Sequence, residues 1–448
     1  MTSRLLALLF AVTTPLLACS LVDRLVRPTA ATATHTAGPD AVSTITPEAP
    51  ETTPTVDPVF DMDRIHSQVS SVRGLYPSGP LDRELLSPES IRQRVIDDFL
   101  GDYTQEEGED DARILALFGL LEPGFHLWDF YADLYEEQVA GYYDPEGEKM
   151  FVVGSGWGGS ERLTYAHEYV HALQDQNYDL QDGLGYSDEG CKEDAERCAA
   201  ISALIEGDAT LAEGQWWRAY ATDQDLLDLS ADIAEYEPEV FDSAPAYLQA
   251  DFLFPYDEGL AFVQFLFREG GWAAVDAAYL DPPTTTEVIL HPERYGLAEP
   301  IPVSLPELNK TLGEGWRALD AAVLGEWFTR LVLNEHIPER EAEPAAAGWG
   351  GDAYRVWIND TEEESALVLL TAWDSPRDAF EFIEAFDEYA GSRFGERKTE
   401  QADRRWSWQH GAVQLERSYD QTLWILAPDA EIAGLLRNGI EFPIRRPG

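Results

Sequence analysis

Basic residues are scarce in this chain. Its 448 residues carry 83 acids against 31 lysines and arginines, a formal net charge of −52, and lysine occurs only at Lys149, Lys192, Lys310 and Lys398. Nucleic acid needs cations to neutralise its phosphates, so it is excluded as a partner, and so is direct electrostatic attraction to an anionic lipid surface. The acidity suits a strongly soluble protein or a saline medium and names no substrate. Cysteine is nearly absent too, with only Cys19, Cys191 and Cys198. Two of these without histidine neighbours argue against a cysteine metal site. Residues 154–160 are glycine-rich but lack the Gly-Lys-Ser/Thr ending of a phosphate loop, which argues against nucleotide binding and reads instead as a cleft rim. Beyond the first 20 residues no apolar run approaches the ~20 residues that span a bilayer.

The N-terminus has what the rest lacks. Arg4, an apolar stretch over residues 5–12 and Leu16-Leu17-Ala18-Cys19 read as a secretory signal over residues 1–18. Its ending resembles a bacterial lipobox. Cleavage before Cys19 and acylation there would anchor the mature chain to a membrane; an ordinary signal peptide with a soluble product is the alternative. Residues 19–58 are expected as an extended linker, because from Pro28 onward they are mainly Thr, Ala, Pro and Ser with almost nothing apolar to bury, and His35 within it is inert. With Cys19 acylated, Cys191 and Cys198 remain as an even pair, expected as a disulfide in an oxidising, extracytoplasmic compartment.

The chemistry centres on His167-Glu168-Tyr169-Val170-His171. Helical positions four apart lie on one face, so His167 and His171 can offer two imidazoles to one metal ion, and Glu168, about 100° further round, can reach a water the metal holds. Leu163, Ala166, Val170 and Leu173 give the helix an apolar side, and residues 161–178 contain no Gly or Pro. A catalytic zinc takes three protein ligands and leaves the fourth position to water. The third ligand is expected from the helical stretch over residues 203–213. Glu206 is the leading candidate, with Asp208 and Glu213 as alternatives, and Gly207 suggests close backbone approach to another element.

His167-Glu168-x-x-His171, with Glu206-Gly207-x-Ala209 following, resembles the gluzincin branch of zinc metallopeptidases, and the run to Gln176 resembles bacterial lipoprotein members of that group. The likeness covers roughly residues 60–335. No histidine follows at the metzincin spacing, and the thermolysin-type Asn-Glu third-ligand motif is absent. The resemblance implies one catalytic Zn2+ held by His167, His171 and Glu206, Glu168 as general base, a peptide or protein substrate, and a strand of the preceding hairpin as cleft edge.

The expected fold class is α+β. A mainly helical zincin-like domain spans residues 59–340, with a hairpin formed by residues 138–143 and 149–153 around Asp144-Pro145-Glu146-Gly147. Ser87-Pro88-Glu89 reads as a helix start, the acidic residues 105–111 as a solvated connection, and Pro255 as the opening of a helix that ends at Gly270-Gly271. Tyr256, His291 and Tyr295 are candidate oxyanion donors. Residues 341–348 read as a boundary before a small α+β domain at 350–448, built from strands, a helix capped by Ser375-Pro376 and a final helix; His410 there reads as structural. The rival readings are a non-catalytic surface lipoprotein on a zincin scaffold and a zinc amidase acting on cell-wall peptide.

Overall fold

Two long helices cross where each has a glycine. A Cβ added at Gly207 would lie 2.1 Å from Gly259 O, and one at Gly259 would lie 2.2 Å from Ala203 O, so only hydrogen fits at either position. This contact fixes the centre of a computed structural model that describes residues 58–443, apart from 88–89, 91–92, 95, 98–99, 102, 155, 298, 362, 396–403 and 409–410, together with Val12 and Thr13.

The helices of eight or more residues are α1 (Pro58–Arg73), α2 (Gln105–Phe118), α3 (Leu127–Gln138), α4 (Gly159–Tyr178), α5 (Ala195–Tyr220), α6 (Asp223–Glu235), α7 (Ala246–Gly270), α8 (Trp272–Leu280), α9 (Gly325–Asn334), α10 (Glu339–Ala346), α11 (Pro376–Phe394) and α12 (Ala430–Gly439). The strands are β1 (Val12–Thr13), β2 (Asp82–Leu86), β3 (Gly141–Asp144), β4 (Lys149–Val153), β5 (Trp316–Ala322), β6 (Trp349–Asn359), β7 (Glu364–Trp373), β8 (Arg404–Trp408), β9 (Gly411–Ser418) and β10 (Gln421–Ala427). They form one sheet in the order β1-β3-β4-β2 and one in the order β5-β6-β7-β10-β9-β8. The fold is α+β, as the residue patterns imply.

α4 and α5 lie side by side, with α1 packed on both and the hairpin β3–β4 on α4. Ile65, Val69, Met150, Val152, Tyr169, Val170, Leu173 and Trp216 fill that junction. On its other side α5 meets α7, and a second core runs without a break from these helices into the inner face of the larger sheet, through Trp349, Leu367, Phe382 and Trp424. The opposite face of that sheet is closed by α12, with Trp357, Val368, Leu423 and Leu436 inside. Burial on both faces explains why residues 366–370 are a continuous apolar run and not an alternating one.

Several expectations are corrected. Residues 105–111 are the first turns of α2, not a connection: Thr104 and Glu107 form a capping box, and acids belong at a helix N-terminus. α7 begins at Ala246, and Pro255 sits in its interior, where packing along α5 outweighs the lost hydrogen bond. Residues 82–86, within a stretch read as mainly helical, form a strand parallel to β4. Residues 341–348 fall largely within α10, and the larger sheet starts upstream of them, because β5 pairs with β6. The hairpin, its Asx turn on Asp144, the Ser375 cap and the final helix follow the pattern read from the residues.

Cys191 and Cys198 are joined, with Cα atoms 5.1 Å apart. The bridge ties the short helix Asp188–Glu193 to the first turn of α5, a local corner. The signal residues other than Val12 and Thr13, Cys19, the linker with His35, most of the helix expected after Ser87, and His410 lie outside the described residues. No helix among the described residues is long and apolar enough to cross a membrane.

Candidate metal centre

The facing surfaces of α4 and α5 are polar where a core should be apolar. His167, Glu168, His171 and Gln174 on α4, and Glu206, Asp208 and Glu213 on α5, are all buried, none more than 2% exposed. Burying so many polar groups costs folding free energy unless each is paired or serves a ligand. The ring centroids of His167 and His171 lie 4.8 Å apart, one turn of α4 separating them. Glu206 reaches both: its Oε2 is 3.1 Å from His167 Nε2 and 3.5 Å from His171 Nε2.

Two ligands on one tetrahedral zinc stand about 3.3 Å apart when each bond is about 2.0–2.1 Å, so these separations are those of neighbouring coordination positions. The ligand atoms of His167, His171 and Glu206 all lie within 4.8 Å of one another, and among the described residues this is the group of His, Cys, Asp and Glu side chains that converges in this way. The far sides of the rings are already committed. His167 Nδ1 lies 2.7 Å from Glu213 Oε2, and His171 Nδ1 lies 2.8 Å from Gln174 Oε1. Both Nε2 atoms therefore point at the shared position, and His171 Nε2 is buried with no hydrogen bond. The donor set fits zinc.

Electrostatics agree. Burial by itself lowers the His167 pKa, but the hydrogen bonds that the ring donates to the Glu206 and Glu213 carboxylates outweigh it and carry the imidazole to about 10. Burial likewise opposes charge on His171, and the Glu206 carboxylate raises its pKa nevertheless. Burial would raise Glu206, yet the two imidazoles hold it at about 2. The pocket demands positive charge at its middle, supplied by protons or by a cation.

The alternative ligands have other duties. Glu213 orients His167, while Asp208 accepts from Arg73 Nε at 2.6 Å, Tyr279 OH at 2.8 Å and Gln174 Nε2 at 3.0 Å. Glu168 lies buried on α4 beneath β3, where a Cβ added at Gly141 would stand 3.4 Å from Glu168 Cγ and 2.7 Å from Thr164 Cγ2. His291, by contrast, pairs with Glu326 Oε1 at 2.8 Å, and that bond raises its pKa. Tyr256 lies buried within α7, and the Tyr295 hydroxyl donates to Asp281 O. Residue patterns missed Gln174, Arg73 and Tyr279. Only Gln174 carried a local signal, three residues past His171 and so on the same face.

Residues 311–437 match a family model described as a domain of unknown function (DUF8575), a stretch that begins after α8 and holds none of the converging residues. No curated protein and no solved structure matches the chain.

Proposed function

We propose that the chain is a zinc-dependent hydrolase and, within that class, a gluzincin-like metallopeptidase, anchored outside the cytoplasm by lipid on Cys19. The observation that carries this reading is the convergence of His167, His171 and Glu206 on one position, with Glu168 following the first histidine on the same helix. A zinc ion there would supply a Lewis acid for the scissile carbonyl and lower the pKa of its water toward about 7. Glu168 takes the proton from the attacking water and returns it to the leaving amine, with no covalent enzyme intermediate. His167, His171 and Glu206 would hold the ion, and Glu213 and Gln174 hold the two rings.

The hairpin supports a peptide as substrate. β3 is the strand next to β1 in the small sheet, and its outer edge pairs antiparallel with an extended segment, Val12 opposite Tyr142 and Thr13 opposite Gly141. Val12 and Thr13 belong to the segment read as a cleaved signal, so in the mature chain that edge of β3 would be open, and a substrate backbone would add to it in the same manner, beside Glu168. The side chains of the site are buried.

That burial favours a second reading, a zinc that braces a non-catalytic binding protein. Structural zinc sites close with four protein ligands, whereas the converging group among the described residues numbers three, and such a site has no use for a general base. The two readings part on one comparison, zinc content and cleavage of an unfolded protein by the wild type and by Glu168→Gln. A peptidase binds zinc in both forms and loses about 10²–10⁴ in rate in the variant. Zinc in both with cleavage in neither identifies the binder, and cleavage of cell-wall peptide alone identifies an amidase.

A further inference from the structure

We propose that the buried pair Arg73–Asp208, acting through Gln174, sets the tautomer in which His171 presents Nε2 to the metal. The inference rests on the metal-site reading and concerns residues outside the ligand set. Arg73 closes α1, 135 positions before Asp208 on α5, and both side chains are fully buried. A buried ion pair is weak evidence for stability, because its desolvation offsets its attraction, so its presence beside the site calls for another role.

The hydrogen bonds define that role step by step. Arg73 Nε donates to Asp208 Oδ1, and Tyr279 OH donates to Asp208 Oδ2, so the carboxylate acts purely as an acceptor. Gln174 therefore turns its NH2 end to Asp208 Oδ2, 3.0 Å away, and the same nitrogen reaches Ile205 O, a second group that can only accept, at 3.0 Å. With its donor end fixed twice, the amide shows Oε1 to His171 Nδ1 at 2.8 Å. His171 must then carry its proton on Nδ1, and the lone pair is left on Nε2. His167 needs no such relay, since the Glu213 carboxylate faces its Nδ1 directly. Asp208 and Arg73 are thus positioning residues, coupling the seating of α1 to the readiness of one ligand.

Asp208→Asn tests the relay. Arg73 offers only donors, so the amide at 208 must keep its oxygen there and turn its NH2 toward Gln174, which drives the Gln174 amide to flip and His171 toward the Nε2–H form. Zinc affinity, measured by competition with a chromophoric chelator, should fall about 10- to 100-fold. Gln174→Met, which removes the acceptor while roughly keeping volume, should fall by a similar factor. Asp276→Asn is the control: Asp276 accepts from the same guanidinium at 2.8 Å and from Tyr178 OH, and its zinc affinity should stay within about twofold. Ring 15N shifts of His171 in zinc-free protein, at a pH where the ring is neutral, should move from the Nδ1–H to the Nε2–H pattern in Asp208→Asn, a change that simple loosening of the fold would not produce. Unchanged affinity in either relay variant that folds overturns the proposal, as does an equal loss in Asp276→Asn; if Asp208→Asn does not fold, Gln174→Met decides. A wild type that binds no zinc would sink the metal reading instead, so the two failures are distinguished before any substrate is added.

Discussion

The α4–α5 interface and the six-stranded sheet are built on opposite principles. Between the helices lie buried imidazoles, carboxylates and an amide, with His167 bonded to Glu213, and His171 to Gln174 and through it to Asp208. Within the sheet the buried groups are mainly aliphatic and aromatic, and Trp349, Trp357 and Trp373 bond their ring nitrogens to Asp352, Asn309 and Thr422. An apolar core stabilises by removing surface from water, whereas a polar one spends much of that gain on desolvation and returns it as orientation. The family model covers all six strands of the sheet and excludes α4 and α5, so the part of the chain that a family model matches and the part that holds the converging residues are different regions.

Mutations should sort by region. Glu206→Gln removes the carboxylate shared by both rings, and bound zinc, counted by elemental analysis, should fall from one per chain to none while the far-ultraviolet spectrum stays native. Trp357→Ala empties a fully buried ring from the sheet and should cost about 3–5 kcal/mol in denaturant unfolding without altering zinc affinity. If zinc affinity fell with it, the two regions would not be separable. Gly207→Ala lies between the extremes: its methyl meets Gly259 O, and an overpacking cost of about 1–3 kcal/mol should come with weaker zinc binding, because Glu206 is its neighbour.

The last prediction concerns pH. Glu196, at the start of α5, accepts from Thr286 N and Oγ1, and burial raises its carboxyl from the ordinary 4.5 to about 8. Its folded form thus holds a proton that the unfolded chain releases at lower pH. This contribution to stability is full below pH 4.5 and is lost as pH rises through 8. Glu196→Gln should flatten the decline of the thermal midpoint between about pH 5 and 8. An unchanged slope would assign that decline to other groups.

Much of this was legible in the residues, for definite reasons. The 3.6-residue period around His167 and His171, the Ser375 cap and the Asp144 turn are local signals, and they placed α4, α11 and the hairpin. Gly207 announced a close approach but not its partner, since Gly259 lies 52 positions away in the chain. The division of labour among Glu206, Asp208 and Glu213 was not legible, because all three lie on one helix and only the seating of Arg73 and His167 against it decides which carboxylate is left for a metal. His291 and Tyr295 drew notice as candidate oxyanion donors, and their partners, Glu326 and the Asp281 carbonyl, are set by tertiary packing that the pattern does not record.

The claim beneath all of this is that one cation sits between α4 and α5. Crystals grown with zinc and measured at its absorption edge test it directly: the account requires a single strong anomalous peak about 2.0–2.2 Å from His167 Nε2, His171 Nε2 and a Glu206 oxygen. A map with no peak there, or with zinc bound by other side chains while these three stay paired with one another, would contradict it.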